Sequence, residues 1–373
     1  MAEPEDTARV RPLDGIRVIE ASSFLAGPFC ATQLAEFGAE VVKVELPKLG
    51  DPLRRFGTVT ASGDSLCWLS ECRNKKSVTL DLRKPEGAEI LKELVRRADV
   101  LVENFQPGTL EDWGLGWDAL RDVNAGLVMV RISGYGQTGP YRGRPGFGRI
   151  ANAFGALLAL RARDLTGTGQ VIDIGLYEPV FRILDELAPA FHLEGFVRQR
   201  MGPGTVNVVP HSHYPTRDGR WIAIACTNDK IFARLARAMD APELADESRW
   251  GGIASRERDR AEVDDTVAAW TARHDRDELL RLCEAAQVPC GPVYAIDEIF
   301  ADPQYRAREN IRIVQDGRAG EVAVPNVVPR LAETPGRVDW LGPELGAHNE
   351  EIYGGLLGLG PERLRELEAA GVI

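Results

Sequence analysis

Residues 126–179 carry the alternation that decides the fold. GLVMVRISGYG (126–136) is an apolar run ending on glycines, and QTGPYRGRPGFGRIANAFG (137–155) is a glycine-rich loop that leads into a helical pattern. ALLALRARDLTGTGQ (156–170) is a helix closed by a Thr-Gly-Thr-Gly turn, and VIDIGLYEP (171–179) is a second apolar run. Run, loop, helix, run is the pattern of a strand–helix–strand unit with parallel strands. Ligands on such sheets sit beyond the C-terminal strand ends. The glycine-rich loop is therefore where a reacting group is expected.

The same alternation extends toward the N-terminus. GIRVIEAS (15–22) suits a buried parallel strand, and SFLAGP leads into a helix through CATQLAEF, with Pro28 tolerated at its start and Gly38 ending it. EVVKVE (40–45), SVTLDL (77–82) and ADVLVENF (98–105) are further strands, and a helix starts at Pro85 and runs through 86–97. The sum is an α/β fold, a mostly parallel sheet with helices on both faces. Leu25-Ala26, Asn104-Phe105 and Ser133-Gly134 all fall at C-terminal strand ends. The loop at Ala26-Gly27 lacks GxGxxG. Its glycine has close helix–sheet packing as the alternative to a phosphate contact.

Toward the C-terminus the pattern changes. MGPGTVNVVPHSHYPTRDG, starting at 201, reads as a linker into a second unit, with a strand at RWIAIAC (220–226) and helical periodicity in IFARLARAM, RAEVDDTVAAWTARH and RDELLRLCEAA. From about residue 310 come two strands and a proline-rich return, and PERLRELEAAGVI closes on an amphipathic helix. The expected division is a tail at 1–11, a large domain at 12–200, a small α/β domain at 201–310 and a return to the large domain at 311–373.

Composition excludes several function classes. The chain has 373 residues and a formal charge of −11, so it has no basic surplus for nucleic acid or an anionic membrane. No apolar run is long enough to span a bilayer, and MAEPEDTARVRP has no signal-peptide core. The six scattered cysteines form no CxxC pair, which points to free thiols in a reducing cytoplasm. His211 and His213, in a polar loop beside Tyr214, lack a third metal ligand, and no metal site is expected.

The segments PLDGIRVIEASSFLAGPFCATQLAEFGAEVVKVELPKLGDPLR, NKKSVTLDLRKPEG, DVLVENFQPGTLEDWGLGW, ISGYGQTGPYRGRPGF, YPTRDGRWIAIA, VPCGPVYAIDEIFADPQY and PELGAHNEEI resemble, in order and over nearly the whole chain, the class III CoA-transferases of the CaiB/BaiF group. That resemblance implies a Rossmann-like large domain, a smaller domain and an interlocked homodimer. It also implies movement of CoA between an acyl-CoA thioester and a free carboxylic acid, with no permanently bound cofactor. An aspartate carboxylate attacks the thioester to give a mixed anhydride. In that chemistry the released CoA thiolate attacks the anhydride in turn and expels the donor acid, leaving an aspartyl-CoA thioester, from which the acceptor acid takes the CoA.

Carried over by position, the resemblance implies CoA contacts at Leu25, Ala26, Leu80, Asp81, Leu82, Arg83, Asn104 and Phe105, and a glycine loop at Gly202 and Gly204. The chain departs from the family at Leu46, where some members have arginine, at Asp112, where a basic residue is usual, and at Gly148, where an acidic residue is frequent. The largest departure is at Gly155-Ala156. In the family, a segment with the nucleophilic aspartate stands between the two helical stretches that here abut, so no residue matches that aspartate. Asp173 is the nearest carboxylate by type, with a sheet-end hydrogen bond as its alternative role. Asp164 reads as a solvated helix-end charge and Glu178 as a cap-region charge. A non-catalytic CoA or acyl-CoA binding homologue, or a partner subunit, is the competing reading. Acyl-CoA racemase chemistry ranks lower, because Phe147 stands where that group has a basic histidine.

Overall fold

The computed structural model describes residues 10–61, 63–144, 153–184 and 186–373. The chain forms two compact units, Met1–Asp185 with Ala307–Ile373, and Glu186–Arg306. The helix Leu187–Glu194, ahead of the linker expected at 201, groups with the second unit.

The first unit is built on β1 (Arg17–Ala21), β2 (Glu40–Glu45), β3 (Lys75–Thr79), β4 (Val100–Glu103), β5 (Val128–Ser133) and β6 (Val171–Gly175). They pair in the order β3-β2-β1-β4-β5-β6, all parallel. The order reverses between β1 and β4, where a doubly wound sheet opens a crevice at its strand ends. Val18, Val41, Val100 and Val128 pack on one face with the helices Ala26–Glu36 and Ala153–Thr166. Ile19, Val42, Leu101 and Met129, one residue on, pack on the other with the helix Pro85–Val95. The alternation explains why these strands are apolar throughout, since both faces are covered.

The strand expected at 77–82 begins and ends earlier, so Leu80 to Arg83 form the loop after β3. Its backbone shows why: beyond Thr79 the chain turns to β2 and the C-terminus, with Leu80 N–H donating to Glu45 O at 2.7 Å and Asp81 N–H to Val372 O at 2.8 Å.

As an edge strand, β3 presents unpaired backbone groups, and the C-terminal return supplies their partners. Ser77 N–H donates to His348 Nδ1 at 3.1 Å and Thr79 N–H to Asn349 Oδ1 at 2.9 Å. Ser77 O accepts from His348 N–H at 3.0 Å, Lys75 O from Trp340 Nε1 at 3.0 Å and Thr79 O from Tyr353 OH at 2.8 Å. This covers a sheet edge that would otherwise invite another chain.

At the opposite edge, the helix Ala153–Thr166 runs without a break through Gly155-Ala156. Its buried positions, Ala153, Ala156, Ala159 and Leu160, keep helical spacing across the junction. A Cβ on Gly155 would meet Ile172 Cγ2 of β6 at 3.4 Å. Two helical stretches expected from sequence are thus one helix.

The second unit holds the antiparallel sheet β7 (His211–Pro215), β8 (Trp221–Ala225) and β9 (Cys290–Val293). Helices such as Asp229–Ala238 and Arg260–Thr271 pack on it around Phe232, Trp250 and Trp270. A hairpin of β10 (Ile311–Asp316) and β11 (Gly320–Pro325) belongs to the first unit, and the chain ends in the helix Pro361–Ala369.

Candidate functional site

The crevice is built on the loop after β1. Asn104, just beyond β4, holds that loop from both sides of its amide: Oδ1 accepts from Ser23 N–H at 2.8 Å, and Nδ2 donates to Ser23 O at 2.7 Å. The next residue, Phe24, has a left-handed backbone with φ of 66°. Its N–H is held by the Asp51 carboxylate at 3.0 Å. Gly27 follows, and any Cβ there would lie 2.4 Å from the Ser22 side chain. The glycine is therefore required by close packing, whatever the loop binds.

Beneath the loop lies a buried ionic network that the sequence did not disclose. Glu20 of β1 binds Lys43 of β2 and Lys75 of β3, both at 2.7 Å, and Lys43 also binds Asp51 at 2.8 Å. All four side chains are essentially inaccessible. Burial works to raise the Glu20 pKa, but Lys43 and Lys75 hold it below the ordinary value. For Asp51 burial likewise acts upward, and Lys43 with the Leu53 and Phe24 N–H groups brings the carboxyl down. Charges buried this thoroughly require such pairing. In an alternating strand pattern they pass for solvent-facing residues, so only long-range pairing could have revealed them.

Two cavities adjoin at the reversal point and share Ser23 and Phe105. The larger, about 340 Å³, is lined by Leu46, Arg55, Leu80, Asp81, Leu82, Arg83 and Trp113, among others. The smaller, about 150 Å³, lies among Leu25, Ala26, Asn104, Ile132, Ser133 and Gly134. All eight positions singled out for CoA therefore line one cavity or the other. Arg55 and Trp113 were missed. The Arg54-Arg55 pair in DPLRRF was the available signal, and Arg54 is committed elsewhere, bound to Glu45 at 2.7 Å and stacked 3.6 Å from the Trp68 ring centre. Arg83 is exposed and grips Asp81 through Nε at 2.7 Å and Nη2 at 2.8 Å. The hydrogen bonds from Arg83 hold the Asp81 carboxyl below its ordinary pKa. Leu46 lines the larger cavity with an uncharged aliphatic side chain.

Comparison with known proteins gives this geometry a family. The model for CoA-transferase family III matches residues 13–157 and 150–349. The chain belongs to that family. It is 47% identical over 407 aligned positions to the succinyl-CoA–L-malate CoA-transferase alpha subunit of Chloroflexus aurantiacus, covering 100% of this chain and 95% of the relative. The beta subunit is 48% identical over 404 positions, with 99% of this chain and 100% of the relative covered. The crystal structure of a CAIB/BAIF family protein from Brucella suis is similar at a TM-score of 0.79 and 30% identity, covering 93% of this chain and 100% of that one. Both Chloroflexus alignments are longer than this chain, so those two relatives carry residues for which it has no counterpart. The family match itself comes in two pieces that meet at 150–157.

In this CoA-transferase family member, Asp173 stands on the edge strand β6. It is exposed, and both of its carboxylate oxygens lie 2.9 Å from Gln137 N–H. It thereby anchors the turn at Gly136, whose φ is +83°. Glu178 accepts from Gly175 N–H at 2.7 Å, ahead of the helix Tyr177–Arg182. Asp164 is exposed in the last turn of the helix Ala153–Thr166. Phe147 and Gly148 lie outside the described residues.

Thiol chemistry at Cys30 and Cys72 is disfavoured. Cys30 and Cys72 are fully buried, and burial pushes each up to about 12. In the second unit, Gly202 has φ of +59° and Gly204 N–H donates to Met201 O at 3.1 Å, which makes a tight turn before β7. His211 and His213 belong to β7, not to a loop, paired with Ala225 and Ala223 of β8. Among the described residues no group of three or more His, Cys, Asp or Glu side chains could hold a metal ion. No described helix is long and apolar enough to cross a membrane.

Proposed function

We propose that this chain binds an acyl-CoA along the C-terminal rim of β1 to β4 and takes part in transfer of CoA to a free carboxylic acid. Succinyl-CoA is the donor that the relatives favour, and a small hydroxydicarboxylic acid such as malate the acceptor. The observation that carries this reading is the pair of adjoining cavities at the sheet reversal, which gather all eight CoA positions. Leu25 and Ala26 lie where the pantetheine arm enters, and Leu80 to Arg83 lie along the nucleotide end. Arg55 is placed to meet a phosphate, and Arg83 can do so by releasing Asp81. The protein acts in the cytoplasm, either as a homodimer or beside a complete second subunit. The exposed Leu157, Leu158, Tyr177, Val180 and Phe181 support a partner over the β6 edge.

The reaction needs a carboxylate nucleophile, and this chain lacks the family aspartate. The two-piece family match and the longer alignments support a deletion at Gly155-Ala156, and the helix continuous through that point leaves no loop to carry the residue. Asp173 is a poor substitute, because its oxygens are committed to Gln137 and it sits on the outer strand. The chain is therefore an acyl-CoA binder of low transfer activity, or one that acts beside a complete subunit. The alpha and beta subunits named for the Chloroflexus relatives favour that second form. Mass spectrometry of the intact chain after incubation with succinyl-CoA tests the point. We expect no covalent adduct. An acyl or CoA adduct on Asp173 would show a relocated nucleophile.

A further inference from the structure

We infer that Cys283 and Cys290 form an oxidisable dithiol, with Cys290 the thiol that a hydroperoxide reaches and Cys283 the one that closes a disulfide on it. The pair belongs to the Glu186–Arg306 unit, whereas every position assigned to CoA belongs to the other.

The first observation is that the fold brings the two sulfurs together. Cys283 lies in the last turn of the helix Arg276–Ala285, and Cys290 opens β9. The chain reverses between them: Val288 N–H donates to Cys283 O at 2.8 Å, and Gln287 has φ of +55°. In the sheet, Cys290 pairs with Ile224 of β8. Paired residues point to the same face, and Ile224 is buried in one apolar cluster with Cys283, against which Cys290 packs. There the Cys283 S–H donates a hydrogen bond to the Cys290 sulfur. Sulfurs already in such contact need to close by only about 1–2 Å to bond.

The second observation is their unequal access. Of the six cysteines, only Cys67 and Cys290 are not fully buried. Cys290 stands on the edge strand of its sheet and lines an open cavity of about 260 Å³, and a Cβ on the next residue, Gly291, would meet nothing within 4 Å. Cys283 is inaccessible behind it. The hydrogen bond from Cys283 lowers the Cys290 pKa, and the same bond together with burial raises that of Cys283. The reachable sulfur is therefore the one that carries thiolate. It attacks the terminal oxygen of the hydroperoxide: an S–O bond forms, the O–O bond breaks, and the alkoxide leaves and takes up a proton as the alcohol. Cys290 is then a sulfenic acid, oxidised by two electrons. The Cys283 sulfur attacks it, the S–S bond forms, the S–O bond breaks, and hydroxide leaves with the Cys283 proton as water. The product fastens the helix end to the edge strand. Cys226, in the same core, is buried, and burial pushes it up to about 12, which leaves it a spectator.

Hydrogen peroxide added to the reduced full chain, followed by intact mass and peptide mapping without reductant, tests this assignment. The chain should lose two hydrogens, and dithiothreitol should restore them. Cleavage after Glu284 separates the two cysteines, so the peptides holding Cys283 and Cys290 should stay joined until reduced. On the same unaltered chain, iodoacetamide should alkylate Cys290 about tenfold or more faster than Cys67 at neutral pH, a comparison that needs no variant to fold. Cys283→Ala should leave Cys290 as a sulfenic acid that dimedone traps, and should slow its alkylation about tenfold through the lost hydrogen bond. Absence of a link between Cys283 and Cys290, a link through Cys226 or Cys67 in its place, or alkylation of Cys290 no faster than of Cys67 would overturn the dithiol.

Discussion

The two edges of the large sheet have been finished in opposite ways. At the β3 edge, the C-terminal return brings Trp340, His348, Asn349 and Tyr353 against the strand, and five hydrogen bonds described above close its backbone. At the β6 edge, a single helix passes through Gly155-Ala156, and Leu157, Leu158, Leu165 and Phe181 are exposed. The contrast teaches that the β3 half and the reversal point are closed by long-range pairs within the chain, whereas the β6 edge presents an apolar face.

The largest effect should come from reopening the β6 edge. Inserting at Gly155-Ala156 the aspartate-bearing segment that the family resemblance implies should raise CoA transfer to malate by about a thousandfold or more, the scale on which a covalent nucleophile acts. It should also tighten a dimer seen by sedimentation. An unchanged rate in a well-folded insertion variant would mean that the edge is not what limits activity.

Next in size is the buried network beneath the β1 loop. Lys43→Met leaves Glu20 and Asp51 short of a partner in a dry site and should cost about 3–5 kcal/mol in urea unfolding. The pH dependence has a definite sign. Glu20 and Asp51 are held below 4.5 and 3.8, so their stabilisation is present above those values and is lost as pH falls through the depressed ones. An acid-unfolding midpoint that Lys43→Met leaves unmoved would contradict the pairing.

Smaller effects should mark the β3 edge. Asn349→Ala removes hydrogen bonds to Thr79 N–H and, at 2.7 Å, to its Oγ1, and should cost about 1–3 kcal/mol by the same measurement. The smallest concerns His348. Burial holds its pKa below the ordinary 6.5, and its Nδ1 accepts from Ser77 N–H, which requires the neutral ring. The unfolded chain then takes up the proton first, so stability declines as pH falls below 6.5. His348→Asn should flatten that decline between pH 6.5 and 5, and a decline of the same slope would assign it to another group.

The expected strand set was legible because a parallel sheet buried on both faces leaves long runs of valine, isoleucine and leucine between turns. The start of the Leu80–Arg83 loop was misread as strand, since Leu80 and Leu82 are buried like strand residues. His348, in the C-terminal return, is half-buried against β3. The sequence does not say which distant backbone a polar side chain will meet.

Local order in the sequence was enough to determine the α/β class, the family resemblance, the small-residue loops at the strand ends and the direct joining of Gly155 to Ala156. The tertiary structure decided that the joined stretches form one helix and that Glu20, Lys43, Asp51 and Lys75 neutralise one another. The physical reason is range. Hydrophobic periodicity is written in neighbouring residues, whereas the pairing of charges and hydroxyls depends on strands that are distant in the chain and adjacent only in the sheet.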